Sequence, residues 1–316
     1  GQYVCLRQGG HATELKAMEE FLSDQTVMLL TGIVLGAVLG SFLNVCAYRI
    51  PVGQSIVSPR SSCPQCKTPI PWVRNLPIVT WLIQGGRAKC CSFKIPMRYW
   101  LVESFCAILF GFLFYRYSQV PDVGLLIGGC VFAWLMLAVV VIDMETMLIP
   151  DRFSMGGAVA GVLLSFAFPS LHQFHSVSEF MNRIGSGVDS VIGLLVGSAS
   201  LYWIGILAEK ALKKEALGEG DVKLMGCIGA FCGWQGSIFV IFGGATLGAV
   251  ILLPLMLLGR FLPKKDESKD SLKWGQEVPF GPYLALAALL YLLALRPWVD
   301  DWFDSLFWVF RQASSG

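Results

Sequence analysis

The chain has 316 residues, of which 55% are apolar and only 15% charged, with a mean hydropathy of +0.62. An ordinary soluble domain carries roughly 25% charged residues. The composition therefore excludes disorder, collagen and secreted disulfide scaffolds, and points to a polytopic membrane protein. A net charge of +2 makes no case for nucleic acid as a partner, so none is expected.

Crossing a bilayer takes about 20 helical residues. In chain order, the apolar stretches predict helices at Val27–Ala47, Trp100–Tyr115, Val123–Ile142, Phe153–Phe168 and Ser190–Ala208. A short element at Val222–Cys232 follows, then a long one at Ile238–Leu258 and a last one at Tyr283–Leu295. The expected fold is all-α, with about eight transmembrane or membrane-embedded helices. The element at 222–232 is too short to cross upright and needs shielding by protein. Glycine pairs such as Gly36 with Gly40 and Gly244 with Gly248 suit close helix packing in lipid. The first 20 residues are polar and show no cleavable signal peptide.

Charge distribution gives the orientation. The segment from Arg49 to Tyr99 is rich in Lys and Arg and has no Asp or Glu. Placing it on the cytoplasmic side also places there the loops near 143–152, 209–223 and 260–279. That side then holds 18 of the 24 basic residues. About 50 residues at 49–99 cannot readily build a sufficient core without a metal or contact with the membrane part.

The sharpest intramembrane signal is a pair of aspartates. Asp143 ends the third predicted helix, and Asp221, in Gly218-Glu219-Gly220-Asp221, precedes the short one. Both fall at cytoplasmic helix ends. An ionisable group at membrane depth is costly and marks a functional site by default. Two facing carboxylates share a proton, leaving one as a base and the other as an acid. That division suits peptide hydrolysis through an activated water. The glycines at 218 and 220 permit close backbone approach. Read alone, Asp221 also fits a cap of the following helix, and Asp151 fits the cap of the fourth.

The second signal is Cys63-Pro64-Gln65-Cys66 followed by Cys90-Cys91. A pair of pairs in a reducing loop reads as a structural zinc site, although adjacent cysteines chelate one ion less comfortably than a two-residue spacer allows. Cys46, Cys106, Cys130, Cys227 and Cys232 fall in apolar helices and read as packing residues. His11, His172 and His175 fall away from the aspartates, and Trp298, Trp302, Phe303, Phe307, Trp308 and Phe310 read as an interfacial belt.

Several motifs in order resemble the type IV prepilin peptidases, bifunctional leader peptidases and N-methyltransferases of bacterial pilus and type II secretion systems. They are Gly40-Ser41-Phe42-Leu43-Asn44-Val45 with Tyr48-Arg49-Ile50-Pro51, the knuckle Ser58 to Cys66, and Asn75-Leu76-Pro77. Arg98-Tyr99 with Glu103, Ile142-Asp143 with Leu148-Ile149-Pro150-Asp151, Gly218 to Met225 and Pro279 to Ala285 complete them. The resemblance implies that Asp143 and Asp221 are the catalytic pair of a GxGD-type aspartic protease, with Gly218, Gly220 and Lys223 as supporting motif residues. It implies cleavage of the basic leader of prepilins or pseudopilins on the cytoplasmic face of the bacterial inner membrane. It also implies methylation of the new amino terminus by S-adenosylmethionine, whose binding residues it leaves unassigned. Acidic residues such as Glu145, Glu215 and Glu219 are where a basic leader would settle.

The implied organisation is a polar tail over 1–26, a first helix over 27–48 and a Cys-containing loop domain over 49–99. A membrane peptidase domain over 100–296 and an aromatic tail over 297–316 follow. In one respect the chain departs from the family pattern: the third cysteine position falls on Ala88, the fourth on Cys91, and Cys90 is displaced. Zinc bound by Cys63, Cys66, Cys90 and Cys91 requires Cys90 to replace the missing ligand. The alternatives are a general intramembrane aspartyl protease and an ion-coupled transporter using the two aspartates.

Overall fold

A computed structural model describes residues 25–58, 60–71, 75–118, 122–173, 178–214, 217–261 and 279–314. Their order is α1 (Gln25–Arg49), a short α2 (Val79–Ile83), α3 (Met97–Ser118), α4 (Val123–Thr146), α5 (Asp151–Ala167), α6 (Glu179–Leu212), α7 (Glu219–Phe261), α8 (Gly281–Leu290) and α9 (Arg296–Ser314). A 3-10 turn at Pro169–His172 follows α5, and a π segment at Tyr291–Leu295 joins α8 to α9. Among the described residues there is no strand, only isolated bridges at Ser62–Pro69 and Arg87–Lys94. Among the described residues six helical stretches are long and apolar enough to cross a membrane, so this is a multi-pass membrane protein. The predicted fourth element is α5, whose 17 residues fall just short of a full crossing.

The chain divides into two compact units, residues 1–134 and 135–316. In the first, α1 lies along α3 through a glycine stripe. A Cβ on Gly32 would stand 2.6 Å from the Phe110 carbonyl oxygen, and one on Gly40 2.8 Å from the Glu103 Cα. Gly36 meets the Cys106 carbonyl in the same way. Side chains at this seam would push the helices apart, which is how small residues drive packing in lipid. Trp134 closes the unit, stacking on Phe42 at 6.1 Å and donating to the Leu39 carbonyl at 3.1 Å.

In the second unit α7 is a helical stretch of 43 residues, yet it is not one rod. Gly233, at φ 71° and ψ −176°, interrupts it. Ser237 Oγ lies 2.8 Å from where a Cβ on Gly229 would be, and it donates to the Gly193 carbonyl at 3.2 Å. A continuous helix would hold positions 229 and 237 about 12 Å apart. The chain therefore doubles back at Gly233, a left-handed residue that costs little only without a Cβ. Residues 224–233 of the first arm are buried throughout. The short predicted element is thus shielded by protein, as its length required.

The first arm packs on α6 through Gly193 against Gly229 and Gly197 against Met225. Gly244, on the second arm, packs on Leu284 of α8; a Cβ there would stand 2.9 Å from the Leu284 Cδ2. The reversal is capped by His172, whose Nε2 lies 3.0 Å from Ser165 Oγ and 3.2 Å from the Ala230 carbonyl. Burial pushes the His172 pKa down to about 4, so the ring is a neutral structural group. His11, His175 and Cys5 lie outside the described residues. Of the predicted packing cysteines, those at 46, 106, 227 and 232 are buried, and Cys130 is half-buried.

Candidate active site and metal cluster

The aspartates occupy the place where three helix ends of the second unit converge. Asp143 sits in the last turn of α4. Past it the chain bends at Met147, φ 51°, whose N–H returns to the Asp143 carbonyl at 2.9 Å. Ile149 and Pro150 then lead into α5. Asp221 lies in the first turn of α7, its N–H bonded to the Gly218 carbonyl at 3.2 Å. Both are nearly closed off from solvent, Asp143 4% and Asp221 9% exposed. They are close enough that the charge of Asp143 acts on Asp221.

Two glycines make this approach possible. Gly281, the first residue of α8, donates its N–H to the Asp143 carboxylate. A Cβ there would stand 2.5 Å from Asp143 Oδ2 and 3.0 Å from the Ile149 side chain. Gly220 also packs on Ile149; a Cβ there would stand 3.2 Å from the Ile149 Cβ. Ile149 is therefore a wedge on which the starts of α7 and α8 close. Gly281 was not among the predicted site residues. It lay within the motif Pro279 to Ala285, but no residue there was given a role, because its role depends on which carboxylate it meets.

Lys223 and Asp151 form an ion pair at 2.9 Å, tying the start of α7 to the start of α5. This corrects the reading of Asp151 as a helix cap. Pro150 takes the cap position, Asp151 follows inside the helix, and no side-chain cap bond forms. Glu145 and Glu219 are exposed near the aspartates. Glu215 lies outside the described residues.

In the first unit the four cysteines do converge. The sulfurs of Cys63, Cys66, Cys90 and Cys91 all lie within 4.8 Å of one another. Cys63 and Cys91 are 3.5 Å apart, Cys66 and Cys90 3.3 Å, and Cys90 and Cys91 3.8 Å. Tetrahedral zinc at about 2.3 Å from each thiolate sets sulfurs about 3.8 Å apart, so the group fits such an ion. The Thr68 hydroxyl and N–H hold the Cys66 thiol down at about 6, whereas its contact with Cys66 pushes Cys90 up to about 12. Cys63 is lowered, foremost by the Cys66 N–H.

The two knuckles share one backbone. Cys63 N–H bonds to the Thr68 carbonyl at 2.9 Å and Lys67 N–H to the Cys63 carbonyl at 2.9 Å. Ala88 N–H bonds to Phe93 and Ser92 N–H to Ala88, both at 2.8 Å. Lys67 and Ser92 are both left-handed, at φ 58° and 57°. Ala88 thus stands where Cys63 stands, Cys91 where Cys66 stands, and Cys90 where Gln65 stands. The missing thiol is replaced from the neighbouring knuckle position, not from the usual one.

A multi-pass membrane protein with two buried, interacting carboxyls at helix ends and a separate four-thiol cluster is defined at this point. The family model for the Bacterial Peptidase A24 N-terminal domain matches residues 34–117, and that for the Type IV leader peptidase family matches 130–253. Similar curated proteins are named prepilin leader peptidase/N-methyltransferase. One, from Aeromonas hydrophila, is 31% identical over 81% of this chain and 87% of its own. Another, from Pseudomonas putida, is 30% identical over 90% and 96%. A third, from Myxococcus xanthus, is 29% identical over 84% and 90%. The chain belongs to the type IV leader peptidase family. No solved structure matches it.

Proposed function

We propose that this protein is a prepilin leader peptidase and N-methyltransferase of the bacterial inner membrane, with Asp143 and Asp221 as its catalytic pair facing the cytoplasm. The observation that carries this reading is the convergence of two buried carboxyls from separate helices, with Gly281 beside Asp143 and Gly220 before Asp221 both packed on Ile149, in a chain of this family. Two such groups titrate as a pair. The unprotonated member takes a proton from water as it attacks the scissile carbonyl, and the protonated member polarises that carbonyl and then protonates the leaving amine. Gly218, Gly220 and Lys223 support the pair by setting the start of α7. Exposed Glu145 and Glu219 suit the basic leader of a prepilin or pseudopilin. The excess of Lys and Arg in 49–99 supports a cytoplasmic placement.

The second activity methylates the amino terminus that cleavage exposes. When bound, S-adenosylmethionine supplies an electrophilic methyl group that the amine nitrogen can take. Cys63, Cys66, Cys90 and Cys91 hold a structural zinc ion that ties the loop of 49–99 together, a role suited to a segment with little core of its own.

Purified protein incubated with a prepilin-like peptide should cut it at the end of the basic leader. Asp143→Asn and Asp221→Asn should each lower the rate by at least about 10²-fold, while zinc content stays at the wild-type level. Cleavage retained in both variants would remove the aspartyl mechanism.

A further inference from the structure

The short helix α2, Val79–Ile83, has two unlike sides. Trp81 turns inward. Its ring packs on Trp100 of α3 at 5.9 Å, and its Nε1 donates to the Ile95 carbonyl at 3.4 Å. A Cβ on Gly86 would stand 3.0 Å from the same ring. Val79, Leu82 and Ile83 fall on the opposite side, within an arc of about 100°. They are 49%, 56% and 73% exposed. Three neighbouring apolar side chains left open on so short an element mark a contact surface.

The height of α2 along α3 limits what that surface meets. α3 has 22 residues, about 33 Å of helix, close to the thickness of a hydrocarbon core. Trp100 and Glu103 stand about 4.5 and 9 Å along it from Met97. Trp81 packs on the first, and the N–H of Ile78 donates to Oε2 of the second at 2.7 Å. α2 is thus lashed beside the first turns of a spanning helix, not above its end. Interfacial helices lie at such a depth, about 5–10 Å into the boundary between headgroups and acyl chains.

Charge selects the kind of surface. The segment from Arg49 to Tyr99 holds eight Lys and Arg and no Asp or Glu. Arg60, Lys67, Arg87, Lys89 and Lys94 are exposed. Among the described residues none of these five enters a salt bridge. Arg87 and Lys94 oppose each other across an antiparallel bridge, so their side chains leave the same face. The bridge adjoins Gly86 and Ile95, the two residues that hold Trp81, which sets both cations beside α2. An apolar face and a basic cluster together bind an anionic bilayer, although either alone binds it weakly.

We infer that α2 docks on the anionic lipid surface beside α3, with Val79, Leu82 and Ile83 among the acyl chains and Arg87 and Lys94 at the lipid phosphates. The loop of 49–99 then has a third attachment to the membrane besides α1 and α3.

The test uses full-length protein with benzoylphenylalanine in place of Ile83, reconstituted in vesicles of phosphatidylcholine and phosphatidylglycerol in equal parts. Irradiation and peptide mass spectrometry should give lipid adducts on the peptide that carries position 83. Their yield should fall several-fold in vesicles of phosphatidylcholine alone, and by a similar factor when Arg87→Gln and Lys94→Gln are added. An unchanged Tm shows that this variant is folded. If its Tm falls, salt takes its place: raising ionic strength should lower the yield in the anionic vesicles and not in the neutral ones. Adducts to a peptide from 135–316 or to a second copy of the chain would overturn the docking, as would no adduct at all. Equal lipid yields in the two kinds of vesicle would overturn the choice of an anionic surface.

Discussion

The two units hold their polar groups by different means. In the second unit, two carboxyls are buried at helix ends, and packed helices set their places. Gly281 leaves no room for even one methyl group beside Asp143, and a Cβ on Gly220 would sit tightly against Ile149. In the first unit, four thiols sit on two loop knuckles, each held by a few backbone hydrogen bonds. There the fourth thiol stands at position 90, two residues past Ala88, and its sulfur still reaches the cluster. Helix packing fixes a side chain to within fractions of an ångström, because every displacement moves a whole helix. A knuckle fixes only its own turn, so a thiol can approach the same point from a neighbouring residue.

This contrast can be broken by substitution, and the largest effect is expected in the helical site. Gly281→Ala places a Cβ against Asp143 Oδ2, and cleavage should fall about 10²-fold with zinc content unchanged. Unaltered cleavage would show that the start of α8 yields easily and that the packing account is wrong. In the knuckles, Cys90→Ser should weaken zinc by more than the roughly 10–100-fold typical of losing an outer partner. Ala88→Cys combined with Cys90→Ser should restore it, since Ala88 occupies the place equivalent to Cys63. Failure of that rescue in a competition assay with a chelator would mean the two knuckles are not interchangeable.

Protons sharpen the comparison further. Zinc displaces protons from thiols. Cys66, held at about 6, is already largely a thiolate at neutral pH, whereas Cys90, at about 12, is not. Calorimetry in buffers of different ionisation heat should therefore give fewer than four protons released per zinc at pH 7. Affinity should fall as the pH drops through 6, where Cys66 regains its proton. The smallest effect belongs to Lys223→Met. Its pair with Asp151 is exposed, 37% and 60% for the two side chains. Thermal unfolding should report at most a small loss, as is usual for an exposed, screened ion pair.

Much of the fold was legible because a bilayer imposes long apolar runs. The ends of α4 and α5 fall within a few residues of the predicted ones, and the gap between the elements at 222–232 and 238–258 contains Gly233, where the chain reverses. Less was legible at the C-terminus. The segment after Leu295, read as an aromatic tail, continues as α9. There Tyr291 donates to Asp300 at 2.7 Å and Arg296 sits 3.5 Å from the same carboxylate. Charged residues spaced along one helix face do not announce such partners when read in line.

By itself the sequence determined the membrane class, the order of the helices and the residues with chemistry to offer, since hydropathy and residue type are properties of the chain. Tertiary structure alone decided which of them meet. It set Gly281 against Asp143, Lys223 against Asp151, Cys90 in the place Ala88 leaves open, and Glu103 against the backbone of Ile78. The reason is geometric: residues far apart in sequence share a site only through the packing of the helices and turns that carry them, and no local pattern encodes that distance.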